Sequence, residues 1–283
     1  MSVLVLGALH LDVVVDAPRL PRVGETLMGS AVDYRFGGKG GNQAVAAARM
    51  GARVHMAGRV GRDRFGAEVE AALDRAGVER SRVLRVDAPT GMSVAITEAA
   101  GEYGAVVVSG ANLENDGVVE VPAGVRVCVM QNEIPAAANA ALAAALPSGV
   151  TLVHNAAPAR AGAGLSPGIL VVNEIEASDM TGLADPEAAA RALREGAGAV
   201  IVTLGARGLI LCDDAVEAMP AAAARVVSAH GAGDMFVGAL AAEIARGAAL
   251  RAAARFAQRA AGVFVGLEIA AREGMGRERV AGP

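Results

Sequence analysis

Short runs rich in valine and leucine alternate along this chain with longer segments whose apolar residues recur at helical spacing. VLVLG comes before NQAVAAARMGA, RVHMAGRVG before DRFGAEVEAALDRAG, and RVCVMQN before IPAAANAALAAAL. The alternation continues through TLVHNAAP, GILVVNEIEA, and PEAAARALREGAG leading into AVIVTLGARG, and the chain closes on GDMFVGALAAEIARG and LRAAARFAQRAAGVFVG. Unbroken apolar runs of strand length suit strands covered on both faces, and each helix between them needs one apolar stripe to cover them. The pattern predicts an α/β protein, a doubly wound and mostly parallel sheet with helices on both faces.

Two segments break the alternation. LDVVVDA and MSVAITEAAGEYGAVVV read as strands with no helical period between them, the second as a hairpin about Ala-Gly-Glu. They predict a small β sheet projecting from the main one, with strands from about 11–35 and 90–110. No repeat or long linker divides the chain, so residues 1–283 are expected to form one domain carrying this β appendage. Open sheets of this kind bind ligands beyond the carboxyl ends of their strands, which is where polar residues carry most weight.

Composition narrows the function classes. Hydrophobic residues make up 53% of the 283, but alanine carries much of that fraction and 20% are charged. The longest apolar stretch, IPAAANAALAAALPSGVTLV, is broken by two prolines, an asparagine and Ser-Gly, which suits a helix, a turn and a buried strand better than a membrane span. The chain opens on strand-like SVLVLG with no basic or cleavage-type segment, so a soluble, cytoplasmic protein is expected. A net charge of -4, no basic run, two Tyr, five Phe and no Trp offer a nucleic acid neither a cationic track nor stacking platforms. Cys128 and Cys212 sit in apolar runs and read as buried reduced thiols, and His10, His55, His154 and His230 are too scattered to suggest a structural metal site.

Candidate chemistry lies in two glycine-rich stretches. In SAHGAGDMFVGAL, residues 228–240, Gly231, Ala232 and Gly233 can turn the backbone so that successive N–H groups point one way, at a helix beginning near Asp234. That makes an anion site, with Asp234 ionised at its rim and able to take a proton from an attacking hydroxyl. The same letters suit a plain glycine turn with Asp234 as N-cap, and the local pattern leaves the two readings equal. The second stretch, FGGKGGNQA, holds Lys39, the only lysine among 26 lysine and arginine residues. Either a composition poor in lysine left one in a loop, or the glycines let a ligand approach and one ammonium reach it. No GxxxxGK followed by Ser or Thr occurs, and Gln43 stands where GxGxxG needs its last glycine, so neither the P-loop nor the dinucleotide fingerprint is present.

Taken together, FGGKGGNQAVAAARMGA and the later HGAGDMFVGAL resemble the paired signature of the ribokinase-like (pfkB) carbohydrate kinases. MQNEIP, HNAAPAR, VVNEIEASDMTG and IVTLGARG follow that family's order and spacing, and the likeness runs from VLVLGALHLD to RFAQRAA. The resemblance implies a Rossmann-like fold with a β lid, a homodimer formed through the lid, and ATP-dependent phosphorylation of a sugar-like hydroxyl, ribose or a related furanose first. It implies Asp234 as the base, with the amides of Gly231, Ala232, Gly233 and Asp234 receiving charge on the transferred phosphoryl group. Asp12, Gly38, Asn42 and Glu133, with His10 beside them, fall on sugar-binding positions, where carboxylates and amides take paired hydrogen bonds from neighbouring hydroxyls. Lys39 falls between sugar and phosphate, where an ammonium helps neutralise developing negative charge. Asn173 and Glu176 match the motif that orders magnesium and phosphates, Glu176 acting on Mg2+ through water. Thr203, Gly205, Ala206 and Gly208 fall on the nucleotide loop, with Gln258 near adenine. On the residues alone, Asp12 reads rather as a solvated strand end and Asn42 as a helix N-cap. Asn173 with Glu176 reads as a polar strand end, and Gln258 as a surface glutamine.

Departures from the family pattern bear on substrate and ions. His10 stands where the family usually has Asn and offers one donor and one acceptor in place of an amide. D-ribose is thereby put in question, with a nucleoside or other small hydroxyl compound as the alternative. Ser228 replaces the Asp associated with a monovalent cation, and LEIAAREG lacks the glycine-containing turn that completes that site. The monovalent cation is expected to be lost, with Ser228 or His230 holding the loop instead. The altered positions 10 and 228 also leave open a sugar- or nucleotide-binding protein that no longer catalyses.

Overall fold

Within the strand Ser2–Leu6, Val3 and Val5 pack into one core and Leu4 and Leu6 into another. That two-sided burial is what an unbroken VLVL run requires. The computed structural model describes residues 1–98, 103–160, 165–222 and 224–281. Its strands are β1 (Ser2–Leu6), β2 (His10–Ala17), β3 (Ala31–Gly37), β4 (Arg53–Gly61), β5 (Glu79–Val86), β6 (Gly91–Glu98), β7 (Tyr103–Val108), β8 (Val125–Gln131), β9 (Thr151–Asn155), β10 (Ile169–Asn173), β11 (Val200–Thr203), β12 (Leu209–Cys212) and β13 (Val216–Met219). The helices are α1 (Lys39–Arg49), α2 (Arg64–Arg75), α3 (Ala136–Ala145), α4 (Glu174–Thr181), α5 (Pro186–Arg194), α6 (Ala232–Arg246), α7 (Leu250–Val265) and α8 (Glu278–Ala281).

Nine strands form the main sheet in the order β13-β12-β11-β10-β9-β8-β1-β4-β5. All neighbours from β11 to β5 run parallel, and β12 and β13 add an antiparallel hairpin at one edge. Helices α1, α2, α6 and α7 cover one face, reached by Val5, Val129, Val171 and Ile201, while α3, α4 and α5 cover the other, reached by Leu6, Met130, Val172 and Val202. The chain places β4 and β5 to one side of β1 and then returns to its other side with β8, so the strand order reverses between β1 and β8. Ligand crevices open at such a reversal.

The second sheet has the order β3-β2-β6-β7 and two unlike faces. Tyr34, Val13, Val94 and Val106 pair across the four strands, and the next row is Arg35, Asp12, Ser93 and Val107. Successive rows face opposite sides of a pleated sheet. His10 therefore shares a face with Asp12, and the apolar row lies on the other, where Tyr34, Val94 and Val106 are 50%, 40% and 67% exposed. The Ala-Gly-Glu turn expected between β6 and β7 lies outside the described residues.

Helix α1 begins at Lys39, three residues ahead of the NQAV run that signals it, because its first turn is built of glycines. Strand β5 carries no sequence signal: ERSRVLRV is charged because it forms the edge of the sheet. Among the described residues no helix is long and apolar enough to cross a membrane, and Cys128 and Cys212 are buried and unpaired.

Candidate active site

The glycines of FGGKGGNQA meet protein before they meet any ligand. Gly38 is the N-cap of α1 at φ 84, and a Cβ there would lie 2.6 Å from Ala8 O. At Gly40 a Cβ would lie 2.6 Å from the Gly7 carbonyl carbon, and at Gly41 2.5 Å from Phe36 Cζ. Such distances admit no side chain, so these residues set how closely the start of α1 approaches the ends of β1 and β3. Packing within the protein is thus by itself a reason for glycine at these positions. The docked helix start is then capped by a carboxylate: Lys39 N donates to Glu133 Oε2 at 2.7 Å across the β1–β8 reversal, where a helix N-terminus favours negative charge.

Helix α6 meets α1 at a second glycine contact. A Cβ at Gly238 would lie 2.5 Å from Ala46 Cβ and 2.6 Å from Gln43 O. One turn earlier on the same face, Asp234 comes within reach of α1. Asn42 Nδ2 donates to Asp234 Oδ2 at 3.2 Å, and Gln43 Nε2 donates to Asp234 Oδ1 at 2.9 Å. Gln43 also donates to Asn155 Oδ1 at 2.9 Å and accepts from Gln131 Nε2 at 2.8 Å, and Asn155 Nδ2 donates to Val171 O at 3.1 Å. A buried amide network thus ties the Asp234 carboxylate to the ends of β8, β9 and β10. Neither Asp234 nor Asn42 is a helix cap: Gly38 and Gly231 hold those places, Gly231 at φ 80.

The anion cradle is narrower than the resemblance implies. Ala232 N donates to Ala229 O at 3.1 Å within the turn, so it is committed to the chain. Gly233 and Asp234 occupy the next positions of α6, where amide N–H groups have no partner inside their own helix. A Cβ at Gly233 would meet nothing within 4 Å, so this side of the helix start is open to an incoming group.

Glu133 and Glu176 both lie within electrostatic reach of Asp234. Burial pushes the half-buried Asp234 above its ordinary value, against the Lys39 charge and the Gln43 and Asn42 amides that favour the anion. Glu133 is also raised by burial, opposed by the Lys39 amide, and Glu176 is raised by burial, opposed by its bond to the Asn173 amide. Lys39 is the cation felt by all three.

On the lid side, His10 lies between Gly37 and Gly91 of the neighbouring strands, 4% exposed, and its Nε2 has no partner among the described residues. Asp12 accepts from Ser93 Oγ at 2.6 Å through Oδ1. On the opposite side, Asn173 and Glu176 form a reciprocal capping box at the start of α4, Glu176 N donating to Asn173 Oδ1 at 2.7 Å and Asn173 N to Glu176 Oε2 at 2.8 Å. Glu176 Oε1 and the Asn173 amide nitrogen stay free of that box. Thr203 ends β11, Gly205 and Ala206 lie in the 3-10 turn Gly205–Arg207, and Gly208 at φ 103 passes so close to β13 that a Cβ would lie 2.1 Å from Met219 O. Gln258 Nε2 donates to that same Met219 O at 3.1 Å, which brings it to the TLGARG loop.

Glycine-set approach of two helices thus puts an amide-held carboxylate beside an open helix start, where a group carrying negative charge is favoured. A family model described as pfkB family carbohydrate kinase matches residues 1–271. The chain belongs to this family. Ribokinase from Mus musculus is 37% identical over 262 residues, covering 85% of this chain and 80% of its own. The structure of Arabidopsis thaliana ribokinase complexed with ribose and ATP aligns at TM-score 0.89 and 28% identity, covering 99% of this chain and 97% of that one. Ribokinase from Thermotoga maritima aligns at TM-score 0.88 and 26% identity, covering 99% and 98%. The two-sided sheet is therefore the ribokinase-like α/β fold of the pfkB kinases.

Sequence reading missed Gln43, Gln131 and Asn155. Gln43 had a signal, a polar residue on the inward stripe of an alanine-rich helix. The other two became visible only through their partners.

Proposed function

We propose that this protein transfers the terminal phosphoryl group of ATP to a hydroxyl of ribose or a related furanose. The observation that carries the reading is the Asp234 carboxylate, held by Asn42 and Gln43 beside the open start of α6. Its raised pKa moves a carboxylate toward the operating pH, which suits a general base. As the substrate oxygen bonds to phosphorus and the bond to ADP breaks, the hydroxyl proton passes to Asp234. The Gly233 and Asp234 amides and the Lys39 ammonium receive the charge on the phosphoryl oxygens.

His10, Asp12, Gly38, Asn42 and Glu133 form the sugar side. Thr203, Gly205, Ala206, Gly208 and Gln258 form the nucleotide side. Among the described residues no cluster of three or more His, Cys, Asp or Glu could cage a metal. That suits magnesium held largely by water and substrate phosphates, with Glu176 Oε1 as the free protein oxygen. Bound there, magnesium would neutralise phosphate charge. We place the protein in the cytoplasm as one kinase domain over 1–283. We also propose a homodimer that covers the apolar lid face around Tyr34, Val94 and Val106, since a small sheet with an open apolar face gains from a partner.

A nucleoside substrate is the second reading, favoured by the buried His10 Nε2, which has no partner among the described residues where the family usually has an amide. Initial rates with ATP, magnesium and a panel of furanoses, hexoses and nucleosides separate the two. Ribose or a near relative giving the highest kcat/KM supports the proposal, and a nucleoside giving it overturns the sugar assignment. No turnover of any compound would leave a binding protein.

A further inference from the structure

The segment that leads into the anion cradle has a cation of its own. Arg272 ends the 3-10 turn Ile269–Arg272 and is 7% exposed. Its Nη2 donates to Ser228 O at 2.6 Å, its Nη1 to His230 O at 3.0 Å and its Nε to Leu267 O at 3.3 Å. All of these acceptors are main-chain carbonyls. The guanidinium lies 4.2 Å from the centroid of the Phe264 ring, and a Cβ at Gly231 would come 3.3 Å from Phe264 Cε1. Val227 N and Ser228 N donate to Val265 O at 2.8 and 3.2 Å, which anchors the same segment to the end of α7. Ser228 contributes little by itself: among the described residues its Oγ is bonded only by His230 N, at a long 3.4 Å.

A monovalent cation beside the cradle, which the resemblance implies, does not fit these residues. Such an ion needs carbonyl oxygens to replace its water. Here the Ser228 and His230 carbonyls accept from a guanidinium, and a second positive charge beside it would be repelled. Burial lowers the Arg272 pKa, with the nearby Arg35 acting the same way, yet arginine stays charged in proteins.

We infer that Arg272 is a built-in cation that holds the Ser228–Gly231 turn, so that phosphoryl transfer by this chain needs no monovalent metal ion. Arg272 is a positioning residue: it sets the direction of the Gly233 and Asp234 amides and touches no substrate. The inference rests on the proposed kinase activity.

The test measures initial rates of the wild type and Arg272→Ala in a buffer whose only monovalent cation is tetramethylammonium. Potassium or guanidinium chloride is then added at constant ionic strength. Potassium should leave the wild-type rate unchanged. Arg272→Ala should lose on the order of 10²-fold in kcat with little change in KM for the hydroxyl substrate, the size of effect seen when an anion-hole donor is removed. Either small cation should return roughly tenfold of that loss or more. Activation of the wild type by potassium, an unimpaired variant, or a loss that neither cation repairs overturns the inference. Arg272→Gln removes the charge but keeps a polar side chain in place, so it should become activated by potassium even where the alanine variant does not fold; no activation counts against the inference. Amide hydrogen exchange over residues 226–234 needs no turnover and decides Arg272 even if the kinase reading fails. Exchange should quicken in the variants and slow again with potassium, and unchanged exchange removes the role.

Discussion

Gln43 Nε2 lies 2.9 Å from both Asp234 Oδ1 and Asn155 Oδ1, so one amide group joins the Asp234 carboxylate on α6 to the end of β9. Asn155 in turn donates to Val171 O, a main-chain atom of β10. The direction of the carboxylate is thus referred to the sheet through side chains that are themselves hydrogen-bonded.

Replacing Gln43 by Met keeps the volume and removes the link. Gln131 Nε2 and Asn155 Oδ1 would be left without their partner, a loss of about 1–3 kcal/mol for each buried polar group left unpaired. The acid limb of kcat/KM should also move to higher pH, because a hydrogen bond that favours the Asp234 anion has gone. Chemical denaturation and a pH–rate profile read the two effects separately. An unmoved acid limb would mean that Gln43 serves the fold alone.

Asp234→Asn should lower kcat by roughly 10²-fold to 10⁴-fold while nucleotide binding persists, since an amide cannot take the hydroxyl proton. In the wild type, the acid limb of kcat/KM should sit above the ordinary carboxylate range because burial raises Asp234. Lys39→Gln removes the charge that opposes this rise, so its limb should lie higher still. The stability term has the same sign. A carboxylate raised on folding contributes stability below its unfolded pKa, and this is lost as pH rises through the folded value. A limb that falls on Lys39 removal would contradict the assignment.

Gly238→Ala sets two effects against each other. Alanine improves a helix interior by about 1 kcal/mol over glycine, yet overpacking at a closed contact costs about 1–3 kcal/mol. Two of the atoms within 2.7 Å of the new Cβ are main-chain atoms of α1, so the strain should win and the variant should be less stable. Its kcat should fall as well, because α6 must shift away from Asn42 and Gln43. Thermal unfolding and initial rates check both, and a stabilised, fully active variant would show that the helices part freely.

Tyr34→Glu combined with Val106→Glu places charge on the exposed apolar row of the lid. If that row is the subunit contact, solution mass at micromolar concentration should drop to that of one chain, while each lid still presents His10 and Asp12 on its other face. A wild-type protein that is already monomeric would remove the proposed interface.

The sheet was legible because strands buried on both faces leave continuous apolar runs, as in Val3 to Leu6. Where burial is one-sided the signal fades: β5 presents Glu79, Arg80, Arg82 and Arg85 in one strand. The helix starts at Gly38 and Gly231 were legible as glycine turns but not as contacts, since what a glycine touches depends on residues far along the chain. Gln43 meets Asn155 across 112 positions and Asp234 across 191. Arg272 gave no local sign either. Nothing in LEIAAREG distinguishes an arginine on the surface from one whose donors reach back across 42 and 44 positions to His230 O and Ser228 O.

Helix α1 is gripped on both sides where only hydrogen atoms intervene, by Gly7 against Gly40 and by Gly238 against Gln43 and Ala46. It acts as a gauge block: its thickness, not any adjustable side chain, fixes the gap between the end of β1 and the start of α6. A spacing set in this way has a tolerance smaller than one methyl group. Room for a differently shaped group must then come from the lid, where His10 stands, while the gap between β1 and α6 stays locked to a single span.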